Sequence, residues 1–111
     1  MRPIKDIISK NYICLTDDKT LNNLYQGCYA TDLLSAAIKS ADDHAILITL
    51  ISHDNTVGCA MMIDLPAIII TENRAVTQQM IDKCNEEGIC LIQTTFKNHE
   101  VIIDLYQRGL I

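Results

Sequence analysis

The chain contains no tryptophan, one phenylalanine and only four glycines among its 111 residues. With so few aromatic groups, isoleucine and leucine must fill the interior, and isoleucine favours strands. The glycines fall into neither G-x-x-x-x-G-K-[ST] nor G-x-G-x-x-G, so the two common phosphate-wrapping loops are missing, and kinase chemistry with them. Cation-rich surfaces are excluded too. Nine Lys and Arg face fourteen Asp and Glu, the net charge is −5, and no basic run occurs. That balance does not suit nucleic acid, which selects a basic face.

Long apolar stretches are also missing. None approaches the ~20 residues that cross a bilayer. The opening MRPIKDIISKNY alternates charge with apolar residues and lacks a signal-peptide core, so a cytoplasmic protein without a membrane partner is expected. There is no H-E-x-x-H, and His44, His53 and His99 lack ligand spacing. No metal and no cofactor is expected. The five cysteines, Cys14, Cys28, Cys59, Cys84 and Cys90, form no C-x-x-C and are odd in number, which fits reduced, mostly buried thiols.

What is present is apolar and patterned. The chain is 49% hydrophobic and 21% charged, enough to bury a core within a single domain over residues 1–111. Residues 3–11 read as a short helix, with Pro3 in its first turn and Ile4, Ile7 and Ile8 on one face. Residues 12–16 read as a strand, and 21–28 as a less regular one ending at Gly27. Thr31 is placed as the cap of a helix to about residue 41, with Asp32 in its first turn. Apolar strands are then expected at 45–51, 67–71 and 89–93. Helices are expected at 55–65, stopped by Pro66, at 77–87, stopped by Gly88, and at 98–107. Strands apolar throughout are covered on both faces, and strand–helix repetition implies right-handed crossovers. The fold class is therefore a three-layer α/β/α sandwich with a largely parallel central sheet.

One strand breaks off abruptly: ILITLI runs into Ser52-His53-Asp54-Asn55. In open α/β sheets ligands bind beyond the carboxyl ends of strands, and a helix N-terminus there offers amides to an anion. The plain alternative is that Ser52 or Asp54 caps the next helix. Tyr29 is read either as a core residue or as a surface for stacking a ligand. Glu72, Asn73 and Arg74 follow another strand end, and Arg74 is the fixed cation near that edge.

The segments GCYATDLLS at 27–35, ITLISHDNTVGCA at 48–60, LPAIIITENR at 65–74 and DLYQRGLI at 104–111 together resemble the DRTGG domain family. Its members usually carry Gly-Gly-Tyr-x-Ser-Asp-Leu-Leu-Ser and a His-x-Asn after the central strand. Gly27, Tyr29, Asp32, Leu33, Leu34, Ser35, His53 and Asn55 match. Asn22 and Asn23 stand where Asp and Arg are usual, and Cys28 where the second Gly is usual, so any ligand contact that loop makes in relatives is expected to be lost or altered here. The resemblance implies a fold like the N-terminal domain of HPr kinase/phosphorylase, a homodimer, and a regulatory rather than enzymatic role.

The leading expectation is thus a non-enzymatic regulatory module that dimerises, with a small anionic, nucleotide-like ligand as its candidate partner. His53 and Asn55 would bond the ligand, Asp32 would order the loop, and Tyr29, Ser35 and Arg74 would complete the site. A scaffold that only binds proteins is the second reading, drawn from consecutive Met61, Met62 and Ile63, which one helix stripe cannot bury together. A thiol enzyme built on Cys28 and His53 is the third.

Overall fold

The computed structural model describes residues 1–111. Seven strands, β1 (Arg2–Pro3), β2 (Tyr12–Cys14), β3 (Leu24–Tyr25), β4 (Cys28–Ala30), β5 (Ile46–Thr49), β6 (Ala67–Ile70) and β7 (Cys90–Thr94), are interleaved with four helices, α1 (Leu34–Ser40), α2 (Asp54–Met62), α3 (Gln78–Glu87) and α4 (Asn98–Gln107). The main sheet has the order β2-β7-β6-β5-β4. β4 to β7 run parallel, and β2 joins β7 antiparallel.

Successive strand residues point to opposite faces, so the fully apolar strands supply two cores at once. Leu47, Ile68, Ile70 and Leu91 meet Ala37 of α1, Val57 and Ala60 of α2, and Met80 and Cys84 of α3. Ile46, Ile48, Ile69 and Ile92 meet Val101 and Leu105 of α4, with Ile4, Ile7, Tyr12 and Tyr25 beside them. The three-layer sandwich with a largely parallel sheet is thus observed. On the α4 side one helix leaves much of the sheet uncovered, and the N-terminal segment fills the gap. It is stitched to the C-terminal segment by Tyr12 Oη donating to Asp104 Oδ2 (2.7 Å), Arg108 Nη2 to the Ile7 carbonyl (2.9 Å) and Tyr25 Oη to the Leu110 carbonyl (3.0 Å).

The expected elements hold from β5 onward; before it the strand expected at 12–16 appears as β2 and the helix expected to about residue 41 as α1, while the helix over 3–11, the strand over 21–28 and the Thr31 cap do not. Instead of a helix over 3–11 there is a single 3-10 turn, Ile4–Asp6, preceded by β1. Pro3 lies in that strand, in extended backbone, rather than in a first helical turn. Ile4 and Ile7 are still fully buried, because one short turn also brings residues three apart onto one side. The run 21–28 is split: a 3-10 turn covers Asp18–Asn22, β3 pairs with β1, and β4 pairs with β5. Gly27, at φ 70°, makes the left-handed break between them. Thr31 does not cap α1. Its amide donates to the Ile48 carbonyl (3.0 Å), prolonging the β4 ladder, and its Oγ1 accepts from Leu33 N (3.0 Å). Asp32 therefore lies outside the helix, which starts at Leu34. Downstream, Thr77 Oγ1 caps α3 by accepting from Met80 N (3.2 Å), and Gly88 closes it at φ 71°. No helix is long and apolar enough to cross a membrane.

Candidate functional site

Buried threonines stand at the carboxyl ends of three parallel strands: Thr49 and Thr94 are the last residues of β5 and β7, and Thr71 follows β6. Thr49 Oγ1 accepts from Ile51 N (3.1 Å) and Thr94 Oγ1 from Phe96 N (3.2 Å), the local bonds by which a hydroxyl turns a chain out of a strand. Asp32 reaches over this edge from the β4–α1 loop. Its Oδ1 accepts from Leu50 N (3.0 Å), Thr49 Oγ1 (3.2 Å) and Asn98 Nδ2 (3.2 Å). Asn98 Oδ1 in turn accepts from Thr71 Oγ1 (2.5 Å). The chain Asp32–Asn98–Thr71 therefore crosses the carboxyl edge of the sheet and joins the β4–α1 loop, β5, β6 and α4. Asp32 thus ties its loop to β5 and to the start of α4. Asn98 was not foreseen, because one asparagine at a helix start carries no periodic signal.

The break at Ser52-His53-Asp54-Asn55 starts α2. His53 is the cap: its Nδ1 accepts from Asn55 N at 3.0 Å, which places the ring proton on Nε2, where it is free to donate. Ser52 Oγ donates to the Ala75 carbonyl (2.5 Å) and Asp54 Oδ2 accepts from Gln79 Nε2 (3.0 Å), tying the turn to α3 and the segment before it. Thr56 Oγ1 donates back to the Ile51 carbonyl (2.6 Å). Ser52 and Asp54 are thus occupied elsewhere, and the cap is the histidine. The side chain of Asn55 stands exposed in the first turn.

Two grooves open from this N-terminus. One of about 430 Å³ lies between α1 and α2, with Leu34, Ile38, Asn55, Cys59 and Met62 on its walls. The other, of about 560 Å³, lies between α2 and α3, with Val57 and Met61 among Asp54, Asp82 and Glu86. Gly58 lines both, and no atom lies within 4 Å of where its Cβ would stand. A glycine inside a helix costs about 1 kcal/mol relative to alanine, and no packing demand offsets it here.

The other expected residues divide between the two ends of the sheet. Arg74 shares the carboxyl edge, paired with Glu72 at 3.7 Å and half exposed. Its loop turns through left-handed Glu72 (φ 60°) and Asn73 (φ 52°), whose amides donate to the Phe96 and Thr94 carbonyls. Ser35 is exposed on α1. Tyr29 is half-buried and packs on the core beneath the helices, in register with Leu47, so it does not stand out at the edge. Cys28 is the first residue of β4, opposite Ile46 at the amino end, and packs on the α4 face. His53 lies past the other end of β5, at the head of a helix on the opposite face. The Cys28–His53 pair is therefore not formed, and burial pushes the Cys28 thiol up, away from thiolate. Asn22 and Asn23 also sit at the amino end. Asn23 Nδ2 donates to the Pro66 carbonyl (3.0 Å) and the Gly88 carbonyl (2.7 Å), clamping the approaches to β6 and β7.

No family model matches the sequence, and no curated protein matches it. A solved structure does match the fold: the CBS and DRTGG domains of the regulatory region of Clostridium perfringens pyrophosphatase, complexed with its activator diadenosine tetraphosphate. The TM-score is 0.70 at 11% identity. The match covers 90% of this chain and 43% of that one, so this chain spans less than half of its neighbour's length. The shared architecture is a DRTGG-like α/β fold, as the sequence resemblance implied.

Proposed function

We propose that this chain is a non-enzymatic regulatory module, one domain over residues 1–111, that binds a small anionic, nucleotide-like ligand and dimerises. The observation that carries the reading is the head of α2, where His53 caps the helix through Nδ1, leaving Nε2 to donate, and the next residue but one, Asn55, lines the groove between α1 and α2. An anion is favoured at that helix N-terminus, and the apolar walls of Leu34, Ile38 and Met62 suit a flat, less polar moiety. Arg74 and Ser35 contribute from the flanks, Asp32 holds the loop, and Tyr29 supports it from beneath. The fold shared with a pyrophosphatase regulatory region supports a sensing role. Free thiols support a cytoplasmic one.

Thermal unfolding against mononucleotides, dinucleotides and phosphorylated metabolites tests this. A ligand at 100 times its Kd adds about 2.7 kcal/mol of stability. Asn55→Ala and His53→Asp should each abolish the shift, the second while keeping the helix cap. A shift that survives in both variants removes the site. No shift with any compound favours the second reading, a protein-interaction scaffold. That reading rests on Leu33 (64% exposed), Ile38 and Met62 (70% exposed) along α1 and α2. Light scattering at micromolar concentration tests dimerisation directly, and a monomer there refutes it.

A further inference from the structure

We infer that Cys14 and Cys90 form a reversible dithiol–disulfide pair that reacts with low-molecular-weight disulfides, Cys14 attacking first and Cys90 resolving the mixed disulfide. The two thiols meet diagonally across the antiparallel contact of β2 and β7, where Cys14 lies opposite Ile92, and their sulfurs are 3.8 Å apart. They are the two cysteines in contact in the chain. Cys59 Sγ points to the Leu34 carbonyl, and Cys84 lies in the core under α3.

The pair is asymmetric. Cys14 is half-buried on the edge strand, whereas Cys90 is fully buried in the next strand inward. A reagent in solution reaches the first and not the second. The thiolate of Cys14 attacks one sulfur of a disulfide such as glutathione disulfide, forms the mixed disulfide and releases one small thiolate. Cys90 loses its proton to solvent and attacks Cys14 Sγ, and the second small thiolate leaves. Two protein thiols are oxidised and one small disulfide is reduced to two thiols. The sulfurs must approach to about 2.0 Å, and because the two positions are diagonal this takes a shift of edge strand β2 as well as rotation of the Cys14 side chain. Burial pushes the Cys90 thiol up to about 12, so the second step is slow near neutrality and accelerates with pH.

Closure would also be felt beyond the bond. Cys14 Sγ donates to the Thr16 carbonyl (3.4 Å), and Thr16 Oγ1 is bonded to Thr20 Oγ1 (2.9 Å) and to Leu91 N (3.1 Å). Oxidation removes the first of these donors, next to the 3-10 turn that leads into Asn23.

The test is incubation of the native protein with glutathione disulfide from pH 8 to pH 10, followed by thiol counting and peptide mapping. The expected result is loss of two of the five thiols, a Cys14–Cys90 cross-link and full recovery with dithiothreitol. The mixed disulfide should resolve about tenfold faster per pH unit, because only the thiolate attacks. The oxidised form should melt about 5–15 °C higher, since the bond closes a long loop of the unfolded chain. Cys14→Ser should abolish the cross-link, and Cys90→Ala should stop the reaction at glutathionylated Cys14. If the buried Cys90→Ala does not fold, Cys14→Ser and the map still decide. A mixed disulfide that persists on Cys14 in the wild type overturns the inference. So do covalent dimers, reaction at Cys28 instead, or five thiols left intact.

Discussion

Replacing Asn23 by aspartate should harm this protein more than replacing it by alanine, although aspartate is nearly the same shape. The amide nitrogen of Asn23 donates to two carbonyl oxygens, of Pro66 at 3.0 Å and of Gly88 at 2.7 Å. Neutral hydrogen bonds contribute roughly 0.5–1.5 kcal/mol each. The Pro66 carbonyl also accepts from Cys90 N (3.0 Å), and the Gly88 bond lies where water can substitute, so neither acceptor is orphaned by truncation. Asn23→Ala should therefore cost about 1–2 kcal/mol, near 4–8 °C in Tm. Asn23→Asp directs a carboxylate at the same two oxygens and has no proton to offer. Two repulsive contacts replace two bonds, for a cost of roughly 2–4 kcal/mol at pH 7. The sign with pH follows. The folded state raises the pKa of the introduced acid, because only its protonated form can donate, so the penalty is present at neutral pH, fades as pH falls through that raised pKa, and is largely gone by about pH 4. Urea unfolding of the three proteins at pH 7 and pH 4, with unchanged m-values, measures this. If Asn23→Asp is as stable as Asn23→Ala at pH 7, or gains nothing on it at pH 4, the clamp is not made by donation from Asn23.

Four further outcomes are expected. Ile69→Ala, in the central strand β6 and fully buried, should cost about 2–5 kcal/mol by chemical denaturation, the range for a large core deletion. His53→Ala should cost about 1 kcal/mol through loss of the α2 cap while His53→Asp should not, as thermal melts would show. Gly58→Ala should stabilise by about 0.5–1 kcal/mol in the absence of ligand, since the added methyl meets nothing; a loss of stability would mean the helix is not as open as described. Finally, burial pushes the thiols of Cys84 and Cys90 from 9.0 to about 12, and burial together with its bond to Asp104 raises Tyr12. Groups with raised folded pKa contribute stability that is complete below pH 9 and lost as pH climbs from 9 toward 12, on the order of 1 kcal/mol per pH unit per thiol. A urea midpoint flat across that window would contradict their burial.

How far the sequence could be read depended on what held each element in place. β5, β6 and β7 announce themselves because burial on both faces leaves Ile46–Ile48, Ala67–Ile70 and Cys90–Ile92 with no polar interruption. α3 is equally legible, since Thr77 and Gly88 do at its ends what their side chains do in isolation. β4 was missed because Cys28-Tyr29-Ala30 has neither alternation nor an apolar run, and its partner β5 alone makes it a strand. The spacing of Ile4 and Ile7 suits a helix, but pairing of Arg2 and Pro3 with Tyr25 and Leu24 took the chain elsewhere, a tertiary override of local pattern. At the site, the helix start after Ile51 was legible from its polar break, whereas the identity of the cap was not. Ser52 and Asp54 are the better capping residues by type, and both are drawn off by α3 and the segment before it, contacts between residues more than twenty apart. The bridging role of Asn98 is hidden for the same reason, since its partner Asp32 lies 66 positions away.

The stitching of the two ends of the chain on the α4 side has a consequence for how the protein is made. During synthesis the strands β4, β5 and β6 can acquire α1, α2 and α3 in order, each helix arriving soon after the strand it covers. The opposite face has no such sequence. Ile4, Ile7, Tyr12 and Tyr25 emerge first, yet their neighbours Val101 and Leu105 emerge last. Until then half of the sheet carries bare isoleucine, and edge strand β2 has no β7 to join. Non-local closure of this kind slows folding and leaves a nascent chain open to aggregation. A ribosome-bound chain truncated before residue 98 should therefore be a better client for a chaperone than the finished protein. Its stickiness would come from the α4 side of the sheet, opposite the face that carries the proposed site.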